Sequence, residues 1–595
     1  MTVLRSVSWD DAKKKRRRGA VAFAALFLVL PLAPVSRTAG TPRVAMATVI
    51  VESAPGAAAA TRRAIADAGG AVLREVGVIE GVIARVPMNA VANLRAARGV
   101  QSVVLDGRVR LSTTRDDASP DNGAPYDPTA DKGSLWRLDR TIGALSLWAE
   151  GITGRGVDVA LIDSGIVPVE GLDSAAKVIN GPDLSFDSQS NELRYLDTFG
   201  HGTHMAGIIA GNDDPGGEYT KGEAFTGVAP DARILSVKVA DAEGATDVSQ
   251  VLAAIDWVVQ HRDDHGLHVR VINLSFGTDS VQSDALDPLV HAVEVAWRAG
   301  IVVVAAAGNR GSASSGLDDP ARSPHVIAVG ADDTNGTAST ADDSIPGWSS
   351  AGDGSRNPDL VAPGKSVTSL RDPGSYIDQQ HADARVDARY FRGSGTSTST
   401  AVVSGVVALL LQQRPNLTPD QVKAVLTAGA RPVPSALDGR QGAGLVNARD
   451  ASRQLALMTV PAASDDTGAD AGSGSLEAAR GSAHVTRDGR ELAGEQDIFG
   501  TAWSGSQWAQ ASAAGVSWTG GTWNGRRWSG DDWSGQSWSG PAWATVAWTG
   551  TSWSGNSWSG NSWSGNSWSG NSWSGNSWSG TSWSGNSWSF IEDEP

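Results

Sequence analysis

Hydrophobic and polar positions change rhythm four times along this chain. Ala20 to Pro34 is an apolar run holding Phe23, Leu26, Phe27 and Leu28, set directly behind the basic stretch Lys13 to Arg18. From Thr48 to Leu105, short segments predict strands at Thr48–Glu52, Ala71–Glu75, Ile79–Pro87 and Val100–Leu105, with helices over Ala57–Ala68 and Asn89–Arg98. The order β-α-β-β-α-β describes one compact α+β domain with a single sheet. Between about 134 and 457 the pattern shifts to continuous Val- and Ile-rich runs at Val157–Ile162, Arg233–Val239, Val269–Leu274 and Ile301–Ala307. Helical stretches separate them. The clearest is Val248–Gln260, with Val251, Leu252, Ile255 and Val258 on one face. Strands buried on both faces and spaced by helices predict an α/β fold, a mostly parallel sheet with helices on both sides. Such sheets carry their chemistry on loops at the strand carboxyl ends.

Two stretches lose this patterning. Residues 112–133 gather Asp, Pro and Gly, and residues 458–500 are acidic and rich in Gly, Ser and Ala. Both read as linkers, the second a flexible one. From Trp503 to Trp588, tryptophan recurs every fifth residue, broken only at Ala513, and the dominant unit is Trp-Ser-Gly-Asn-Ser. Tryptophans five apart would alternate faces on a flat strand, and repeated glycine disfavours a helix. Three readings stay open: a low-complexity tether with aromatic stickers, a solenoid of several pentads per coil, or a surface stacking indoles on cell-wall glycans.

Composition narrows the function classes. The chain of 595 residues has no cysteine, which excludes a disulfide framework, a thiolate zinc site and a cysteine nucleophile. Net charge is −16; residues 1–47 hold nine basic and two acidic residues, or +7, leaving −23 for the rest. An acidic body argues against nucleic acid as a partner, because phosphate binding needs basic surface. The basic run, the apolar run and Ala45-Met46-Ala47 follow the order of a secretory signal over 1–47. A retained membrane anchor is the alternative, although the apolar run falls short of the roughly 20 residues a spanning helix needs.

Candidate chemistry lies on separate loops. Asp163 ends the apolar run Val159-Ala160-Leu161-Ile162 and precedes Ser164-Gly165. Alone it reads as a turn-capping acid. Gly200-His201-Gly202-Thr203-His204-Met205 opens a helix. His201 there suits a general base oriented by a carboxylate, and a metal pair with His204 is disfavoured because no acid or thiol accompanies it. Gly393-Ser394-Gly395-Thr396-Ser397 precedes the apolar helix Ala401 to Leu411. Ser397 at a helix start meets outward-pointing N–H groups that can stabilise an oxyanion, although Ser/Thr before a helix is ordinarily a cap. Ala305-Ala306-Ala307-Gly308-Asn309 ends a strand with a side chain able to donate to developing negative charge.

In the chain order Asp, His, Asn, Ser, these motifs resemble the subtilisin-like serine proteases over about residues 134–457. The resemblance implies catalytic roles for Asp163, His201 and Ser397, and an oxyanion hole from Asn309 and the Ser397 N–H. It places substrate along Ser275, Phe276 and Gly277, with Gly244 on the opposite edge. Leu360-Val361-Ala362-Pro363-Gly364 matches a turn ahead of the nucleophile, while Thr398-Ser399-Thr400-Ala401 departs from the Met-Ala-Ser-Pro usual in the family. The implied protein is a secreted or cell-surface endopeptidase acting on protein or peptide substrates. Residues 48–111 would be its inhibitory pro-domain, residues 112–133 its processing region, 134–457 the peptidase domain, 458–500 a linker and 501–595 the repeat. Self-cleavage within 106–133 would leave a mature chain starting near Ser134. No cofactor is required by this chemistry. Calcium stays open as a structural ion at acidic clusters such as Asp213-Asp214 and Asp318-Asp319, with solvated loop charge as the plainer reading. The competing class is an inactive surface-binding protein or adhesin acting through the tryptophan repeat.

Overall fold

The computed structural model describes residues 46–105 and 126–527, apart from short gaps and the stretch 458–470, together with strand segments between 537 and 585. The export signal therefore lies outside the described residues up to residue 45, and Met46 and Ala47 already belong to the first strand.

The first domain follows the predicted order. It comprises β1 (Met46–Ser53), α1 (Ala58–Asp67), β2 (Ala71–Val76), β3 (Gly81–Pro87), α2 (Val91–Arg95) and β4 (Val100–Leu105). The strands form an antiparallel sheet in the order β2-β3-β1-β4. Ile65 of α1 and Leu94 of α2 pack onto Val51, Val82, Ala84, Val86 and Val103 in its core.

The large domain opens with α3 (Leu135–Thr141) and α4 (Ala144–Trp148). It continues through β5 (Asp158–Asp163), β6 (Val178–Asp183), α5 (His201–Ala210), β7 (Arg233–Lys238), α6 (Val248–His261), β8 (Val269–Leu274), α7 (Pro288–Arg298), β9 (Val302–Ala306), β10 (Ile327–Asp332) and β11 (Leu360–Pro363). A hairpin of β12 (Val367–Leu370) and β13 (Tyr390–Gly393) brackets α8 (Tyr376–Gln380) and leads into α9 (Thr396–Gln413). Then follow α10 (Pro419–Gly429) and α11 (Ala448–Leu457). Seven parallel strands lie in the order β11-β10-β9-β8-β5-β7-β6. Chain order reverses at β5, which is flanked by β7 and β8. A reversal of this kind opens a crevice at the strand carboxyl ends. The helix α9 is buried from Thr396 through Leu411, as expected of a helix apolar nearly all round, and runs against β8, β9 and β10 on one side and α5 on the other.

Two expectations need correction. The large domain begins at Tyr126, not near Ser134: the Tyr126 ring lies 4.6 Å from that of Tyr390, and Asp131 accepts from Thr368 Oγ1 at 2.7 Å and from Arg392 at 2.9 Å. The flexible linker expected over 458–500 is not found from residue 471 on, where the chain is packed onto the large domain. There α12 (Leu476–Arg480) and α13 (Gly505–Ala513) form, and Leu476, Ala479, Val485, Leu492 and Ile498 join the main core. Arg480 is fully buried; it binds Asp247, the N-cap of α6, at 2.6 Å and donates to the carbonyls of Gly494 and Gln496. The first tryptophans of the repeat are core residues as well. Asp256 of α6 accepts the indole N–H of Trp508 and of Trp523, each at 2.8 Å, and the Ser512 hydroxyl at 2.6 Å. Trp518 donates to the Ala253 carbonyl at 2.8 Å.

Further along the repeat the backbone forms parallel ladders. Ser552–Ser559 pairs with Ser567–Ser574, and that with Ser582–Gly585, each residue opposite the one fifteen positions on, as Ser552 with Ser567. A second ladder through Trp548–Thr549, Ser562–Ser564 and Ser577–Ser579 keeps the same offset. Of the three readings left open, this backbone matches a solenoid with three pentads per coil. Ser537–Trp538 pairs at an offset of twenty, a slip of one pentad that a near-identical repeat permits.

Candidate active site

β5 carries Asp163 to the carboxyl edge of the sheet, at the reversal of chain order. Its Oδ1 accepts the Ser164 backbone N–H at 2.8 Å and meets His201 Nδ1 at 2.7 Å. The two side chains are only 1% and 2% exposed, so little water competes for the bond. The carboxylate can only accept, which puts the proton on Nδ1 and leaves Nε2 as the basic nitrogen. Nε2 is buried and has no hydrogen-bond partner. Burial alone would hold the imidazole neutral, but the charge of Asp163 and its hydrogen bond, with Asp197 adding to them, raise the His201 pKa above its ordinary value.

Three further side chains hold this pair in place. His201 is the first residue of α5, and Asp197 caps that helix start by accepting the N–H groups of Gly200 and Thr203, both at 2.7 Å. Ser164 ties Asp197 to the Asp163 loop: its hydroxyl donates to Asp197 at 2.8 Å and accepts the Gly202 N–H at 2.9 Å. Gly202 must lack a side chain, since a Cβ there would stand 2.2 Å from the Gly165 carbonyl. Lys238, fully buried at the end of β7, donates to the carbonyls of Ser164 and Leu196 at 2.8 Å and pairs with Asp187 at 3.0 Å. The sequence reading passed over all three. An acid four residues ahead of His201 at a helix start was a legible signal for Asp197. A lone lysine ending an apolar strand was a fainter one for Lys238.

Ser397 is the second residue of α9. Its hydroxyl donates to the Ser275 carbonyl at 3.2 Å. The imidazole and the turn that carries Ser397 adjoin, for His201, Ser394 and Thr398 line one small hollow of about 20 Å³. Beneath it runs a buried polar chain: Ser404 Oγ donates to Asn273 Oδ1, Asn273 Nδ2 donates to Ser275 Oγ, and Ser275 Oγ donates to the Ser397 carbonyl. The extra hydroxyls after Ser397 do not compete for it. Ser399 donates to the Ala362 carbonyl and Thr400 to the Thr396 carbonyl, at 2.9 and 2.8 Å.

Asn309 lies on the turn after β9 and is fixed by Thr396, whose N–H and hydroxyl both donate to Asn309 Oδ1, at 2.9 and 3.1 Å. With its oxygen held toward α9, the amide keeps its NH₂ group free to donate. Thr396 is another positioning residue that the sequence reading missed.

The residues assigned to substrate divide. Ser275 is buried against α9, and Phe276 packs in the main core. Gly277 and Gly244 are demanded by neighbours within the protein. A Cβ at Gly277 would lie 2.7 Å from Asp318 Cβ, and one at Gly244, where φ is +74°, would lie 2.6 Å from the Phe199 ring. His204 lines the same hollow as His201, its ring edge-on to Phe391 at 6.5 Å. Burial, reinforced by His201, pushes its pKa down to about 3. Of the acids considered for calcium, Asp213 pairs with Arg389 and Asp318 with Arg310. The arginines supply the positive charge a cation would bring, and among the described residues no three His, Asp or Glu converge as a metal site.

The chain is similar to known proteins. Residues 154–444 match the family described as "Subtilase family", and residues 20–106 match one described as "Putative peptidase inhibitor domain". The chain is 39% identical over 305 residues to serine protease AprX of Bacillus subtilis, covering 50% of this chain and 66% of that protein. It is 32% identical to the minor extracellular protease Epr of the same organism, covering 50% of this chain and 38% of Epr. It is also 32% identical to subtilisin DY of Bacillus licheniformis, covering 51% of this chain and 94% of the relative. With nearly the whole of subtilisin DY matched on a seven-stranded parallel sheet, this chain belongs to the subtilase family.

Proposed function

We propose that this protein is a serine endopeptidase, made with an inhibitory pro-domain and exported from the cell, that cuts peptide bonds through an acyl-enzyme. The observation that carries the reading is the buried Asp163–His201 bond at 2.7 Å, set beside the helix that Ser397 opens. In this reading the Ser397 hydroxyl turns from the Ser275 carbonyl to His201 Nε2 when substrate arrives. Nε2 accepts its proton as Oγ attacks the carbonyl carbon. Asp163 keeps the imidazole in the reactive tautomer and stabilises the imidazolium. The Asn309 amide and the Ser397 N–H receive the oxyanion, and the imidazolium then protonates the leaving amine.

The match over residues 20–106 supports a pro-domain role for the first sheet. A large parallel sheet makes many non-local contacts and folds slowly, so a companion that speeds folding and blocks the crevice is useful to a protease. Because Tyr126 and Asp131 are built into the large domain, the processing cut belongs in 106–125. The basic-then-apolar N-terminus supports export, and the tryptophan repeat supports contact with cell-wall glycan at the cell surface.

Labelling with a sulfonyl fluoride tests the reading. Incorporation at Ser397, lost in Ser397→Ala, is expected together with hydrolysis of a peptide library. Folded protein that neither labels nor cleaves would leave the surface-binding class standing. A Ser397→Ala chain that still lost its first domain in a protease-free host would refute self-processing.

A further inference from the structure

Away from the crevice, a cavity of about 130 Å³ opens between α3, α4, the loop at 219–226 and the start of β13. That is close to the roughly 150 Å³ that takes up a benzene molecule in an engineered core. Its walls are aromatic: Tyr126, Trp136, Trp148, Tyr219, Phe225 and Tyr390. They are braced in two groups. Tyr390 lies 4.6 Å from Tyr126 and stacks on Phe225 at 5.5 Å, while Trp148 meets Tyr219 edge-on at 6.1 Å.

One charged group lines this cavity. Asp139, on the same face of α3 as Trp136, is fully buried, and neither carboxylate oxygen has a hydrogen-bond partner. No cation pairs with it, and burial alone drives its pKa well above the usual carboxylate range. The other polar groups at the wall are largely spent. Tyr126 donates to Asp131, Tyr219 to Asp231, the Trp148 indole to the Val228 carbonyl and Thr226 to the Ala224 carbonyl. The Trp136 N–H, packed close against Gly222, is buried without a hydrogen-bond partner, and Arg140 lies over the same ring at 4.7 Å from its centroid.

A carboxylate at the wall of an aromatic box suits one ligand class. Aromatic faces attract a cation through their quadrupole, more strongly when water is excluded, and the carboxylate supplies the counter-charge. Without such a ligand, the hole holds an acid that satisfies nothing. The geometry points to this cavity as a binding site for a compact organic ammonium ion, held between the aromatic walls with its charge on Asp139. The site is independent of the proteolytic chemistry.

Tetramethylammonium chloride is the probe, added to the full-length chain carrying Ser397→Ala to prevent self-digestion, with sodium chloride at equal ionic strength as reference. The expected result is a saturable rise in the unfolding midpoint beyond the sodium reference. tert-Butanol, neutral and of similar shape, gives no such rise, and Asp139→Asn abolishes it. Absence of a saturable rise, an equal rise with tert-butanol, or one retained in Asp139→Asn overturns the proposal. Should Asp139→Asn fail to fold, Trp136→Leu keeps the acid and removes one wall, and it is expected to weaken the response at least several-fold. If neither variant folds, the contrast between ammonium and tert-butanol on the parent chain decides.

Discussion

The Asp163–His201 bond makes a prediction about pH. Its contribution raises the pKa of His201 above the ordinary 6.5, and on the proposed mechanism only the neutral imidazole accepts the Ser397 proton. kcat/KM should therefore climb with pH through a midpoint above 6.5. Asp163→Asn should lower that midpoint along with the rate, and a pH–rate profile on a peptide substrate checks both. On the proposed mechanism Asn309→Ala removes an oxyanion donor, so kcat should fall by about 10²–10³ with KM little changed, the loss seen for the corresponding donor in subtilisin. At this scale the motifs pointed to Asp163, His201, Asn309 and Ser397, and the structure pairs the first two and sets the other two at the turn after β9 and the start of α9. Ser164 and Thr396 were not legible, and Lys238 only faintly, since what they do depends on loops that meet only in the folded chain. Nor could the motifs reveal that Gly277 and Gly244 answer to Asp318 and Phe199 inside the protein.

Helix α6 shows the same division among elements. Its apolar stripe of Val251, Leu252, Ile255 and Val258 was plain from spacing, because one period governs one face. The partners of Asp247, Ala253, Asp256 and Gln260 lie more than two hundred residues away: Arg480 in a Gly- and Ser-rich stretch, and Trp508 and Trp518 in the pentad series, whose period of five marks neither a helix face nor a strand face and so does not say what they pack on. Arg480→Leu should cost about 3–5 kcal/mol, the usual penalty for leaving a buried charge unpaired, here that of Asp247. Urea unfolding measures it. A second element-level prediction concerns the end of β10. Asp332 and Asp343 are buried against each other there, and burial followed by neighbouring acids raises their pKa values to about 8 and about 7. The unfolded chain gives up these protons near 3.8, so the native state holds more of them through the neutral range. Stability should fall as pH rises between about 4 and 8. Asp332→Asn should flatten that decline, as read from urea midpoints at pH 5, 7 and 9.

For the molecule as a whole, the division into a small antiparallel sheet, a large parallel sheet and a pentad repeat was legible, because each has its own hydrophobic period. Both edges of the large domain were misplaced: it takes in Tyr126 and Asp131 ahead of Ser134, and the chain beyond residue 471. Truncation after residue 457 strips Arg480 and the four buried tryptophans 503, 508, 518 and 523 from the core, whereas truncation after 527 leaves them in place. The shorter chain should lose many degrees of thermal midpoint and the longer one almost none; differential scanning calorimetry on the two Ser397→Ala forms distinguishes them. The two indoles that share Asp256 carry a lesson for anyone moving these parts between proteins. Although the repeat is written as one continuous series, its opening units are masonry of the peptidase. A transplant of the series to another carrier should start after Arg527, and a peptidase borrowed without its tail should be carried at least that far.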